Sequence, residues 1–106
     1  MNSFARINIP RHRIATFCKR WRIAELALFG SVVRQDFGPR SDVDILVTFH
    51  PSARPTLLDM ARIENELSAL LGRRADLVER RTVERSRNYL RKEAILRSAR
   101  IVYAGR

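Results

Sequence analysis

A chain of 106 residues, 45% of them hydrophobic, is long enough for one core and too short for a second substrate domain, so a single domain over residues 1–106 is expected. Its 21 Lys plus Arg outweigh 11 Asp plus Glu to give a net charge of +10, and only Lys19 and Lys92 are lysines. A single cysteine, Cys18, excludes an intrachain disulfide framework; no apolar stretch reaches membrane-spanning length and residues 1–13 carry no signal-like apolar region, so a cytoplasmic location without a membrane partner is expected.

The first helix is predicted to begin near Pro10, a residue suited to a first helical position, with Ile14, Phe17 and Trp21 on one buried stripe. A strand follows over 23–29, then Gly30-Ser31 opens a short helix over 31–36 that ends at Asp36. The turn Phe37-Gly38-Pro39-Arg40 returns Ser41 beside Gly30. The run 43–49 is nearly all apolar after its aspartates and reads as a central strand. After a loop over 50–55 with two prolines, Thr56-Leu57-Leu58-Asp59 reads as a capping box, with Asp59 a cap rather than a ligand. Leu57, Met60, Ile63, Leu67, Leu70 and Leu71 recur at helical spacing as a core stripe, and Gly72 stops that helix. A strand over 75–79, a basic helical stretch over 83–97 and a short strand over 101–103 complete the chain. The expected class is α+β (α/β): a small mixed β-sheet with helices packed on one side and a site at one sheet edge, near three strand ends.

The chemistry gathers at those strand ends. Alternate strand residues share a face, so Asp42 and Asp44 point the same way, about 7 Å apart by the usual rise, while Val43 points into the core. Hard carboxylate oxygens in this arrangement suit Mg²⁺, which completes its shell with water and substrate phosphates. Gly30 lets a ligand approach the backbone, Ser31 adds a hydroxyl, and Arg34 lies on the same side of the following turn. Together these residues describe a nucleoside triphosphate site. If two metal ions act, a third acid is needed, and Asp76 on the 75–79 strand is the candidate; Glu79 falls on the opposite strand face. His12 and His50 have no partner at metal-ligand spacing and read as surface histidines.

Leu28-Phe29-Gly30-Ser31, Arg34, Ser41-Asp42-Val43-Asp44-Ile45-Leu46-Val47 and Ala75-Asp76-Leu77-Val78 resemble the minimal nucleotidyltransferases (MNT type) of the DNA polymerase β-like superfamily. The likeness continues through Tyr89-Leu90-Arg91, Ile95-Leu96 and Ile101-Val102-Tyr103-Ala104. It implies that Gly30, Ser31, Arg34 and Ser41 hold the triphosphate, and that Asp42, Asp44 and Asp76 bind two Mg²⁺. It further implies that AMP passes from ATP to a hydroxyl of a partner protein, the chain being an antitoxin that adenylylates a tyrosine of a HEPN-type ribonuclease toxin. Gln35 stands where that family commonly has a glycine after the arginine. No residue pattern separates ATP from other nucleotides.

The charge is uneven: no acid precedes Glu25, and over 80–100 Arg80, Arg81, Arg85, Arg87, Arg91, Lys92, Arg97 and Arg100 face only Glu84 and Glu93. Such a surface suits an acidic protein or a nucleic acid, and it also reads as an ordinary solvated face enriched in arginine by coding bias. Two further functions therefore stand beside protein adenylylation: a non-catalytic binding module that blocks its partner through the basic surface, and nucleotide addition to RNA.

Overall fold

The computed structural model describes residues 7–33, 38 and 41–105. Helix α1 (Arg11–Trp21) starts directly after Pro10, which serves as its N-cap rather than its first helical residue, and buries Ile14, Phe17 and Cys18 with Trp21 packed at the margin. Arg22 takes the left-handed conformation, φ 58°, sends its N–H back to the carbonyls of Cys18 and Lys19, and so turns the chain straight into β1 (Ile23–Phe29). A single 3₁₀ turn (Gly30–Val33) leaves β1, and β2 (Val43–Phe49) runs back beside it. The remainder of the short helix expected over 31–36, with Arg34, Gln35 and Asp36, lies outside the described residues, as do Phe37, Pro39 and Arg40.

Helix α2 (Leu57–Leu71) carries the expected capping box: Thr56 Oγ1 accepts from the Asp59 N–H at 3.1 Å and Asp59 Oδ2 accepts from the Thr56 N–H at 2.9 Å. Gly72 ends it in the left-handed region, φ 67°. Ile63, Leu67 and Leu71 are buried as the stripe required, but Leu57 is 90% exposed. The first member of the stripe falls in the capping turn, before the helix meets the sheet. The crossover through α2 makes β3 (Ala75–Glu79) parallel to β2, as an antiparallel hairpin connection would not.

The basic stretch after β3 is two helices rather than one, α3 (Arg80–Glu84) and α4 (Tyr89–Ser98). Short polar side chains compete with the helix between them: Ser86 Oγ accepts from the Asn88 N–H at 3.1 Å, and Asn88 Oδ1 caps α4 by accepting from the Arg91 N–H at 3.2 Å. Strand β4 (Arg100–Ala104) then pairs antiparallel with β1.

The sheet order is β3-β2-β1-β4, with β2 inside it as expected. Val43, Ile45 and Val47 point to the main core under α1 and α2, where Ile23, Leu26 and Leu28 meet them. Leu46 points the other way, with Ala27 and Phe29, into a smaller core closed by Val83 of α3 and Ile95 of α4. The α+β class and mixed sheet are those expected from the sequence, but the helices are not confined to one side. Burial of Val83 and Ile95, worth about 1.5–3 kcal/mol for a fully buried side chain, holds α3 and α4 over the second face.

Candidate active site

Three strand ends meet where β1 finishes and β2 and β3 begin. Phe29, the last residue of β1, pairs with Asp44 of β2, and Asp44 pairs in turn with Asp76 of β3. Their neighbours Val43, Ile45, Ala75 and Leu77 point to the main core, so alternation puts both carboxylates on the α3–α4 face of the sheet. Adjacent strands are about 4.8 Å apart, which sets these two acids side by side. Asp42, two residues earlier on the approach to β2, is exposed; Asp76 is exposed and Asp44 half-buried.

Gly30 fixes the other wall. It has φ 74°, and an ideal Cβ added there would stand 3.1 Å from Asp44 Cγ and closer still to Oδ2. Only glycine therefore lets the 3₁₀ turn lie against the Asp44 carboxylate. Ser31 is half-buried in that turn, next to Gly30. The sequence reading thus placed Gly30, Ser31, Asp42, Asp44 and Asp76 in one neighbourhood, while Arg34 belongs to the segment outside the described residues.

Ser41 sits in the same neighbourhood with a role of its own. Its Oγ accepts from the Gly38 N–H at 3.0 Å and its N–H donates to the Gly38 carbonyl at 3.1 Å, closing a turn immediately before Asp42. Arg73 donates to the carbonyls of Gly38 at 2.6 Å and Ser41 at 3.1 Å, and Val43 N–H donates to the Arg74 carbonyl at 2.8 Å. Asp42 is therefore carried on a loop tied down on both sides. Strand β3, an edge strand, is tied by α2: Ser68 Oγ accepts from the Ala75 N–H and Glu64 Oε2 from the Leu77 N–H, both at 2.9 Å. Arg73, Ser68 and Glu64 carry no motif, so nothing short of the fold reveals their part in holding the acids.

A cavity of about 260 Å³ opens beside the carboxylates, lined by Phe29, Gly30 and Asp44 on the sheet side and by Arg91, Ala94, Ile95 and Ser98 of α4. Among the described residues no three His, Cys, Asp or Glu are gathered closely enough to hold an ion, so Asp42, Asp44 and Asp76 lie at an open sheet edge and do not converge as a ready-made metal cluster. Hard oxygen donors on an open platform fit Mg²⁺, which keeps waters and substrate phosphates in its shell. A larger cavity of about 430 Å³ between α1 and α2 lacks this chemistry, because its carboxylate, Glu66, already pairs with Arg20 and accepts from Trp21 Nε1. Cys18 offers no nucleophile: burial pushes its thiol up to about 12.

The family model for the nucleotidyltransferase domain matches residues 12–102. Over 60 residues the chain is 47% identical to the protein adenylyltransferase MntA of Thermococcus cleftensis, covering 57% of this chain and 59% of that protein; the chain thus matches less than two thirds of that relative's length. A solved structure described as a minimal nucleotidyltransferase superposes with a TM-score of 0.65 at 37% identity, over 85% of this chain and 86% of that one. A solved toxin–antitoxin with AMP-PNP gives a TM-score of 0.66 at 16% identity, over 92% of this chain and 75% of that one. A complex of a tri-AMPylated Shewanella oneidensis HEPN toxin with an MNT antitoxin gives 0.58 at 17% identity, over 89% and 69%. These last two likenesses concern the fold alone. Among the described residues no helix is long and apolar enough to cross a membrane.

Proposed function

Because the chain belongs to the nucleotidyltransferase domain family, we propose that it is a protein adenylyltransferase, moving AMP from ATP to a hydroxyl of a partner protein. The observation that carries this reading is the seating of the Asp44 carboxylate against Gly30 with Asp76 abreast of it. The named activity of the Thermococcus cleftensis relative supports protein as the acceptor class, and the AMPylated toxin–antitoxin complex that shares the fold supports a HEPN-type toxin as partner; that this toxin is a ribonuclease and that a tyrosine is the acceptor follow from the family resemblance alone.

In this reading the acceptor oxygen attacks the α-phosphorus, the bond from that phosphorus to the β-phosphate oxygen breaks, and pyrophosphate leaves. Asp76 takes the hydroxyl proton, being exposed at the edge strand where an acceptor arrives. Gly30 leaves the backbone open to the phosphates and Ser31 adds a hydroxyl donor; the family resemblance assigns Arg34 and Ser41 to the same phosphates. Asp42, Asp44 and Asp76 would hold Mg²⁺, which when bound neutralises triphosphate charge and lowers the pKa of the acceptor hydroxyl.

The test is transfer of label from ATP radiolabelled at the α-phosphate into host lysate, with Mg²⁺, for the native chain and Asp44→Asn. A protein band labelled by the native chain alone is the expected result; label in RNA, or equal labelling by the variant, contradicts it. The exposed cations of α3 and α4 favour one competing role, blocking a partner without catalysis. That role makes the opposite prediction, since Asp44→Asn would then protect against the toxin as well as the native chain does.

A further inference from the structure

We infer that Arg91 of α4 is a phosphate-binding residue, its guanidinium gripping the triphosphate of the nucleotide donor across the cleft from Gly30 and Asp44. This rests on the nucleotide-transfer reading and names a group outside the strand-end motifs that suggested it. Arg91, Ala94, Ile95 and Ser98 follow one another at the 3- and 4-residue steps of a single helix face, and all line the 260 Å³ cavity. The wall is firmly placed. Ile95 is buried beside Phe29 and Leu46, and the Asn88 cap accepts from the Arg91 backbone N–H at 3.2 Å.

The side chain of Arg91 differs from several neighbouring cations. Arg80 pairs with Glu25 at 3.8 Å and Glu84 at 3.0 Å, Arg97 pairs with Glu93 at 3.5 Å, and Lys92 donates to the Glu84 carbonyl at 3.4 Å while lying over the Tyr89 ring. Among the described residues Arg91 is the one cation lining the cavity and is held in no ion pair. A triphosphate entering beside Gly30 carries several negative charges and calls for a cation on the facing wall. A planar guanidinium meets that need with paired N–H donors matched to phosphate oxygens.

The experiment measures AMP-PNP binding with Mg²⁺ by calorimetry for the native chain, Arg91→Ala, Arg91→Lys and Arg97→Ala, each shown by its unfolding midpoint to be folded. Losing a charge-assisted phosphate contact is expected to weaken Arg91→Ala roughly 10- to 100-fold, with Arg91→Lys recovering part of that loss. Arg97→Ala removes the same charge from the same helix and is expected to bind like the native chain. Native affinity in Arg91→Ala would overturn the inference, as would an equal loss in Arg97→Ala, which would mark a diffuse effect of net charge. Failure of the native chain to bind AMP-PNP would overturn the nucleotide-transfer reading and this inference with it.

Discussion

Gly30 shows how narrow the tolerance at this site is. Its φ of 74° already disfavours any residue with a Cβ, at a cost of about 1–2 kcal/mol, and the added carbon would in addition press on the Asp44 carboxylate. Gly30→Ala is therefore expected to lose nucleotidyl transfer almost completely while unfolding at a modestly lower temperature. An active Gly30→Ala enzyme, assayed by label transfer beside a thermal melt, would show that the Asp44 position is not critical. Gly30, Asp42, Asp44 and Asp76 stood out in the sequence only as an ordered set, since none of them signals a site alone, and the fold brings Gly30, Asp44 and Asp76 to adjacent strand ends. Arg73 was not legible: its partners Gly38 and Ser41 lie more than thirty positions away, and an arginine in an arginine-rich chain signals nothing by itself.

Strand β3 depends on α2 as much as on its sheet neighbour. Glu64 accepts from Leu77 N–H on the side of the strand that no other strand covers, and this contact helps to hold Asp76 in register with Asp44. Glu64→Ala is expected to cost about 1–3 kcal/mol, the usual range for stranding a partly buried donor, and to reduce transfer through the displaced Asp76. An unchanged midpoint in chemical denaturation would contradict this. The bounds of β1, β2 and β3 could be read directly, since each apolar run is closed by Gly, Asp or charged residues. The division of α3 from α4 could not: the stretch between Arg85 and Asn88 contains neither glycine nor proline, and the break rests on hydrogen bonds from Ser86 and Asn88 that other side-chain positions would not make. Leu57 misled for a related reason, because helical periodicity reports a face and says nothing of where along the helix the sheet begins.

At the scale of the whole molecule, the sheet separates two tasks. Its α1–α2 face buries the main core, while its α3–α4 face carries Asp44, Asp76 and the small cavity. Asp76 is exposed on the edge strand of that face, where the proposed reaction would meet a protein acceptor. The second helical layer was hidden from sequence reasoning because its core is small and lies under side chains that are mostly charged. The most direct measurement is AMP transfer from ATP to a HEPN-type partner with Mg²⁺, compared for the native chain and for Asp42→Asn, Asp44→Asn and Asp76→Asn. The native chain is expected to add AMP to a tyrosine of the partner, and each variant to fall at least about 100-fold, as losing several kcal/mol of charge stabilisation requires. Transfer that survives in all three variants, or that continues after Mg²⁺ is removed with EDTA, would contradict a reaction carried by the strand-end carboxylates.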